Sequence, residues 1–359
     1  MTVASSSPTV GVVANPASGR DIRRLVARAS VFPTAEKANM VVRMLTAFGS
    51  VGVERVLLST DLGGISAGVL RALKSRVEGV DPPWPQLHFV DDDPITGTGE
   101  DTTLTVRRMI AAGAEVIVCL GGDGTARLAA AACGEVPLLA LSTGTNNAFP
   151  VMREATIAGL AAGLVATHAV PEPVALRRDL ALEVRTDARR EIALVDVCVA
   201  AARHIGSRAL WDPAGLRTLI CTFAEPDAIG LSSIAGLLCP SPRRQASGVL
   251  LELAAPESAP VVVRAPIAPG LVLPVGVRSW RELQPGDEVA VTDAGVIALD
   301  GEREIELRPR DRATVSLTTH GPRAIDIPAV MAHAACEGLL TTGTPDLTSS
   351  IRKRKGAPR

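Results

Sequence analysis

The sequence predicts an α/β N-terminal domain built on a parallel sheet, followed by a mainly β second domain. Three observations predict it. At 359 residues the chain exceeds one ordinary core and suits two units of roughly 150 to 200 residues each. From residue 9 to about 150, short β-branched runs alternate with longer amphipathic ones, as in strands joined by crossover helices. From about residue 171, short apolar runs spaced by Pro, Gly and charged pairs replace that alternation.

Taken in order, the first half reads as a strand at 10–14, helices at 22–29 and 35–48, a strand at 53–59, a helix at 65–77 and a strand at 87–90. A helix at 101–112, a strand at 116–120, a helix from about residue 126 and a strand at 138–141 complete it. The second half carries strands at 180–185, 192–200, 249–253, 261–264, 289–292 and 314–318. Residues 225–248 are the least patterned and read as a long loop with a short helix. An Ala-rich amphipathic helix follows at 327–340. The expected boundaries are an α/β domain at 1–170, a β-rich domain at 171–318 and a segment at 319–342 whose helix packs back on the first domain. A basic tail at 343–359, with Arg352, Lys353, Arg354, Lys355 and Arg359, reads as disordered.

Composition excludes several function classes. Aromatics make up 2% of the chain with no Tyr, and 37 basic residues stand against 38 acidic ones. Stacking platforms and a basic field are both missing, so no nucleic-acid partner is expected. The longest apolar stretch, 192–202, contains Asp196 and falls short of the roughly 20 residues that cross a bilayer. With no readable secretory signal in residues 1–9, a cytoplasmic location is expected. Cys119, Cys133, Cys198, Cys221, Cys239 and Cys336 form no C-x-x-C pair and read as buried thiols.

Three loops carry the candidate chemistry, and each directly follows an expected strand: 15–19, 121–125 and 142–147. Ligands of open α/β sheets bind at the carboxyl ends of the strands, so the three should converge on one edge. In Gly121-Gly122-Asp123-Gly124-Thr125 the glycines allow positive φ and close approach of backbone to ligand, and the next helix offers its N-terminal amides to phosphate. Asp123 is informative, because a carboxylate beside a phosphate pocket is unfavourable unless it meets Mg²⁺ or takes a proton from an attacking hydroxyl. Alone, the loop also fits a tight turn with Asp as a helix cap. Arg127, with Arg20, Arg23 and Arg24 after Asn15-Pro16-Ala17-Ser18-Gly19, sits in the first turn of an expected helix, where a bound anion would reverse an unfavourable dipole interaction. Pointing into water is the alternative. Ser142-Thr143-Gly144-Thr145-Asn146-Asn147 joins hydroxyls to amides that donate and accept at once, suiting ribose hydroxyls or phosphate oxygens; alone it also fits an Asx-rich turn.

Asp196 interrupts the apolar run 193–199, where a carboxylate costs roughly several kcal/mol unless paired or facing a polar cleft. A strand end in contact with water would also accommodate it. Asp91, Asp92, Asp93, Glu100 and Asp101 around Gly97 and Gly99 read as solvated loop charge, with metal or acceptor binding as the alternative. His204 and His320 lack ligand spacing and carry no assigned role.

Together the G-G-D-G-T, N-P-x-S-G and G-T-x-N loops resemble the superfamily of NAD kinases, diacylglycerol kinases and sphingosine kinases. Leu299-Asp300-Gly301-Glu302 resembles that superfamily's D-G-(E/Q) stretch in its β-rich second domain, so the resemblance spans nearly the whole chain. Residues 14–24 and 121–127 look most like the ATP-NAD kinase-like acetoin catabolism protein X group. The resemblance implies ATP and Mg²⁺ bound between two domains, with Asp123 as the base or metal-proximal carboxylate. Asn15, Ser18, Gly19, Arg20, Gly121, Gly122, Gly124, Thr125, Arg127, Thr143, Gly144, Thr145 and Asn146 would form the nucleotide and phosphate site. Asn147, Asp196 and Asp300 would serve the acceptor. The third loop has the lipid-kinase form, and Val195-Asp196 stands where NAD kinases carry Asn-Glu. The expected reaction is phosphorylation of NAD to NADP by a homo-oligomeric kinase. A different hydroxylated metabolite or lipid as acceptor, and a non-catalytic nucleotide-binding regulator, are the alternatives.

Overall fold

The computed structural model describes residues 7–342 apart from 21, 31, 78, 91–93, 145 and 202–208, with Arg23 and Arg24 described by backbone alone. Thr145, the Asp91 to Asp93 run, His204, the side chains of Arg23 and Arg24, and the tail at 343–359 therefore lie outside the described residues.

The first body runs β1 Thr9–Ala14, α1 Arg23–Val26, α2 Thr34–Ser50, β2 Arg55–Ser59, α3 Ile65–Lys74, β3 Gln86–Val90, α4 Gly99–Ala111, β4 Val116–Gly121, α5 Asp123–Cys133, β5 Leu138–Ser142, α6 Ala155–Ala166 and α7 Glu172–Ala175. The chain continues through β6 Leu176–Arg178, β7 Ala181–Thr186, β8 Arg190–Ala193, β9 Asp196–Ala200, β10 Leu216–Cys221, α8 Ser232–Gly236 and β11 Gly248–Ala254. It ends with β12 Val261–Ala268, β13 Leu271–Leu283, β14 Glu288–Val291, β15 Gly295–Leu299, β16 Glu302–Leu307, β17 Ala313–Thr318, β18 Arg323–Ile325 and α9 Ile327–Glu337.

The first sheet has the order β3-β2-β1-β4-β5-β18-β6. Strands β1 to β5 and β18 pair in parallel, and β6 adds antiparallel at the edge. The order reverses between β1 and β4, so the loops after those two strands leave neighbouring carboxyl ends at a topological switch point. Its near-continuous apolar strands require cover on both faces. One face packs on α2, α3, α6 and α9, through residues such as Met44, Phe48, Leu120, Ala161 and Val330. The other packs on α4 and α5 and extends into the second body through Ala181, Leu194, Val195 and Phe223.

The second body is a sandwich. A seven-stranded sheet, β12-β13-β11-β10-β9-β15-β16, faces a four-stranded one, β14-β17-β7-β8, and all pairs within them are antiparallel. Alternate residues such as Val184, Val197, Val199, Ile297, Val315 and Leu317 fill the space between.

The α/β domain with a mainly β partner is therefore found, with local corrections. The helix expected at 22–29 shrinks to Arg23–Val26, and the helix expected from residue 126 begins at Asp123. The apolar run at 192–200 breaks at Leu194 and Val195 into β8 and β9. The long strand β13 was not anticipated, because its Gly, Pro, Arg and Trp residues hide the alternation. Four cysteines are buried as expected, while Cys239 is half-buried and Cys336 exposed.

Packing of α2 depends on Gly49, where an added Cβ would stand 2.0 Å from the Pro83 carbonyl oxygen. Backbone cannot yield as a side chain does. Gly49→Ala is expected to lose roughly 1–3 kcal/mol by urea denaturation, and a wild-type midpoint would contradict this packing.

Candidate active site

The three loops meet at the switch point and are sewn to one another by side chains. Asn15 Nδ2 donates to Thr125 Oγ1 at 2.9 Å, and Asn15 Oδ1 accepts from Ala17 N at 2.8 Å. Ser18 and Thr143 share a hydroxyl hydrogen bond at 2.8 Å, and Thr143 N donates to Gly121 O at 2.9 Å. The Asn147 amide accepts from Ser142 Oγ at 2.7 Å and from Gly144 N at 3.0 Å, and donates to Asn146 O.

The glycines of the second loop act by size rather than by left-handed backbone. Among residues 15–19 and 121–125 only Gly19 has positive φ, at 80°. A Cβ on Gly121 would lie 2.5 Å from the Thr125 side chain, one on Gly122 2.9 Å from Asn147, and one on Gly144 2.6 Å from Asn147. At Gly124 it would meet the Glu302 carboxylate at 3.0 Å. Glu302 opens β16, so the second body reaches over the helix start here. Its place in the D-G-E stretch was the sequence signal for it.

Asp123 lies in the first turn of α5 and its carboxylate accepts from the amides of Ala148 and Phe149. The distances are 3.1 Å from Ala148 N to each oxygen and 2.8 Å from Phe149 N to Oδ1. A carboxylate at this end of a helix is favoured by the macrodipole, and the two amides fix its orientation.

Under the first loop lies Lys37, 1% exposed, whose Nζ donates to the carbonyls of Asn15 (3.1 Å), Pro16 (3.2 Å) and Ser18 (2.9 Å). Burial chiefly, with help from Arg20, pulls its pKa from 10.5 to about 8 while Asp61 resists. Sequence reasoning missed Lys37. The signal existed, since it shares a helical stripe with Val41, Met44 and Phe48, all buried in α2. Arg20 is exposed and donates to Thr34 Oγ1 at 3.4 Å.

Several expected site residues face inward instead. Arg127, 5% exposed, sits 3.0 Å from Glu304, 3.7 Å from Glu191 and 3.9 Å from Asp300, so its charge is answered by carboxylates of the second body. Asp300 has left-handed φ of 51° and a fully buried carboxylate that accepts from the amides of Leu194, Val195 and Asp196 at 2.7–3.2 Å. That clamp is the reason the apolar run at 192–200 splits into β8 and β9. Asp196 is 3% exposed and pairs in register with Cys221. Burial first, and the Asp196 charge second, push the thiols of Cys198 and Cys221 well above 9.0. Asn146 Nδ2 donates to Ile267 O at 3.1 Å, and its buried Oδ1 has no hydrogen-bond partner among the described residues.

A cleft of about 740 Å³ opens beside the strands that link the two bodies, walled by Arg177, Arg178, Arg243, Arg244 and His320 among others. Arg243, also missed, lies in the unpatterned 225–248 segment, where no periodicity marks a half-buried cation. Among the described residues no group of three or more His, Cys, Asp or Glu forms a metal cage. Among the described residues no helix is long and apolar enough to cross a membrane.

Acetoin catabolism protein X of Cupriavidus necator is 45% identical over 343 residues, covering 94% of this chain and 95% of that protein. The chain belongs to the acetoin catabolism protein X family. Residues 180–320 match the acetoin catabolism protein X C-terminal domain, and residues 10–169 match the ATP-NAD kinase N-terminal domain. Yeast NADH kinase, solved with NADH, has a TM-score of 0.53 at 14% identity, over 91% of this chain and 86% of that one, a likeness of fold. In this chain the part matching the ATP-NAD kinase N-terminal domain thus carries the sewn loops, and the part matching the family's C-terminal domain supplies Glu302, Glu304 and Asp300.

Burial raises the Asp300 pKa from 3.8 to about 6, against the pull of Arg127 and the three amides. Between those values the folded chain keeps a proton that the unfolded chain has lost. The stabilising contribution is therefore present below about pH 4 and lost as pH rises through 6. Relative to Asp300→Asn, the wild type is expected to lose roughly 1–3 kcal/mol across that window. A difference independent of pH in denaturation series at pH 4, 5, 6 and 7 would contradict it.

Proposed function

We propose that the chain is an ATP-dependent phosphotransferase of NAD kinase type that phosphorylates a hydroxyl of a small acceptor, NAD being the acceptor to test first. The observation that carries this reading is the Asp123 carboxylate, held by two amides at the N-terminus of α5 where three loops converge.

In this reading the nucleotide phosphates lie along Gly121, Gly122, Gly124 and Thr125, which offer backbone without side-chain bulk and the positive end of α5. Ser18, Gly19 and Thr143 continue the same edge, and Arg20 is the exposed cation beside it. Glu302, whose carboxylate stands over Gly124, is the donor that would hold Mg²⁺ arriving on the phosphates rather than in a protein cage. The ion would neutralise phosphate charge. Asp123 takes the proton from the acceptor hydroxyl as its oxygen bonds to the γ-phosphorus, the bridging bond breaks, and ADP leaves with the electron pair. Alignment and charge stabilisation supply most of the acceleration in such a transfer.

The unspent acceptor atom of Asn146 supports its role in recognising a ligand hydroxyl, with Asn147 fixing the loop behind it. Asp300 holds the amides where β8 gives way to β9 and Asp196 lies in the interior, so both are left out of the acceptor contacts. By analogy with the relative's name, we place the reaction in acetoin catabolism.

The purified chain is to be incubated with Mg²⁺, ATP and NAD and assayed for NADP, with ADP release measured in parallel across other hydroxylated acceptors. Asp123→Asn is expected to lose about 10²- to 10⁴-fold in kcat with ATP affinity retained. An unchanged rate would refute the role of Asp123. ATP binding without ADP release from any acceptor would favour a regulator.

A further inference from the structure

Arg243 is a half-buried cation that the mechanism above leaves unused. It lies between α8 and β11, stacked on the rings of Phe223 and Phe149 at 4.2 and 5.0 Å from their centroids. Burial lowers its pKa ahead of the neighbouring charges, among which Asp179, Glu225 and Asp123 raise it and Arg177 lowers it. Among the described residues no carboxylate forms an ion pair with it, and its Nε has no hydrogen-bond partner. A half-buried guanidinium without an ion-pair partner must find other acceptors, so its actual contacts are informative.

Those contacts are two successive carbonyls. Nη1 donates to Phe149 O at 3.0 Å and Nη2 donates to Ala148 O. The same two residues turn their amides to Asp123. The peptide joining Ala148 to Phe149 is trans, so its carbonyl and its N–H point in opposite directions. One end meets the guanidinium and the other meets Asp123 Oδ1 at 2.8 Å. Cation, peptide dipole and carboxylate stand in series, an arrangement in which each hydrogen bond strengthens the next.

We infer that Arg243 is a positioning residue for Asp123, acting through the Ala148–Phe149 peptide. Its catalytic consequence rests on the phosphotransfer reading; the coupling between the two residues does not. Arg243 fixes the two carbonyls, and the amides of the same two residues hold the Asp123 carboxylate in one orientation. A residue serving only to plug the space between Phe149 and Phe223 would be replaced by Met without loosening those amides.

The test follows hydrogen exchange of the backbone amides of Ala148 and Phe149 in the full chain at one pH, in wild type, Asp123→Asn, Arg243→Met, Arg243→Lys and the Asp123→Asn/Arg243→Met double variant. Met keeps the packing between the two rings and removes the paired donors. Exchange of both amides is expected to be about tenfold faster in Arg243→Met, and faster by less in Arg243→Lys, since Lys keeps the charge but not the paired donors. In the double variant the two effects should not add, because both act on one peptide. In kinetics Arg243→Met should lower kcat about tenfold with KM for ATP unchanged, and Lys should recover part of it. Wild-type exchange at both amides in a folded Arg243→Met, or effects that add fully in the double variant, overturns the coupling. If Arg243→Met does not fold, the Lys variant decides alone: faster exchange supports the coupling and unchanged exchange overturns it. Absence of turnover in the wild type counts against phosphotransfer and leaves hydrogen exchange as the judge of the coupling.

Discussion

The grip of the Asp123 carboxylate on the amides of Ala148 and Phe149 organises this molecule. It spans the carboxyl ends of β4 and β5, fixes where α5 begins, and sets the start of α5 against the loop that follows β5. Everything nearby is arranged to permit it. Gly121, Gly122 and Gly144 are bare because Thr125 and Asn147 occupy the space a Cβ would need. Asn15 joins the first loop to Thr125, and Ser18 joins it to Thr143. Removing the side chain at Asp123 would leave two chain amides without their acceptor, a cost of roughly 1–3 kcal/mol for each buried donor.

The second body completes the arrangement by supplying charge. Glu304 and Asp300 answer Arg127, Glu302 closes over Gly124, and Arg243 braces the carbonyls behind the Asp123 clamp. Asp300 meanwhile holds the amides of Leu194 and Val195 that would otherwise be orphaned where β8 stops and β9 starts. These contacts cross the seam between the bodies, which explains why residues far apart in sequence share one network.

The fold class was legible because its causes are local. Alternating β-branched and amphipathic runs identify parallel strands with crossovers, and Gly and Asn after successive strands mark one edge. The individual roles were less legible wherever a partner comes from the other body. Arg127 at a helix start reads as an anion ligand until Glu304 is found beside it, and Asp300 reads as a site residue until its φ of 51° turns it onto the 194–196 amides. Asp196 in its apolar strand was identified as anomalous, and its 3% exposure places it in the interior rather than at a water-facing strand end. Lys37 was visible as a cation on the buried stripe of α2. Arg243 sits in a segment without periodicity, so only the tertiary structure reveals it.

As proposed above, the three loops act as one nucleotide-binding edge. Hydrogen exchange of the full chain with and without Mg²⁺ and ATP tests it most directly. Slowed exchange is predicted together in residues 15–19, 121–125 and 142–149, with α6 and the β12–β13 hairpin unchanged. Protection confined to a single loop, or centred on the cleft walled by Arg177 and Arg244, would contradict it.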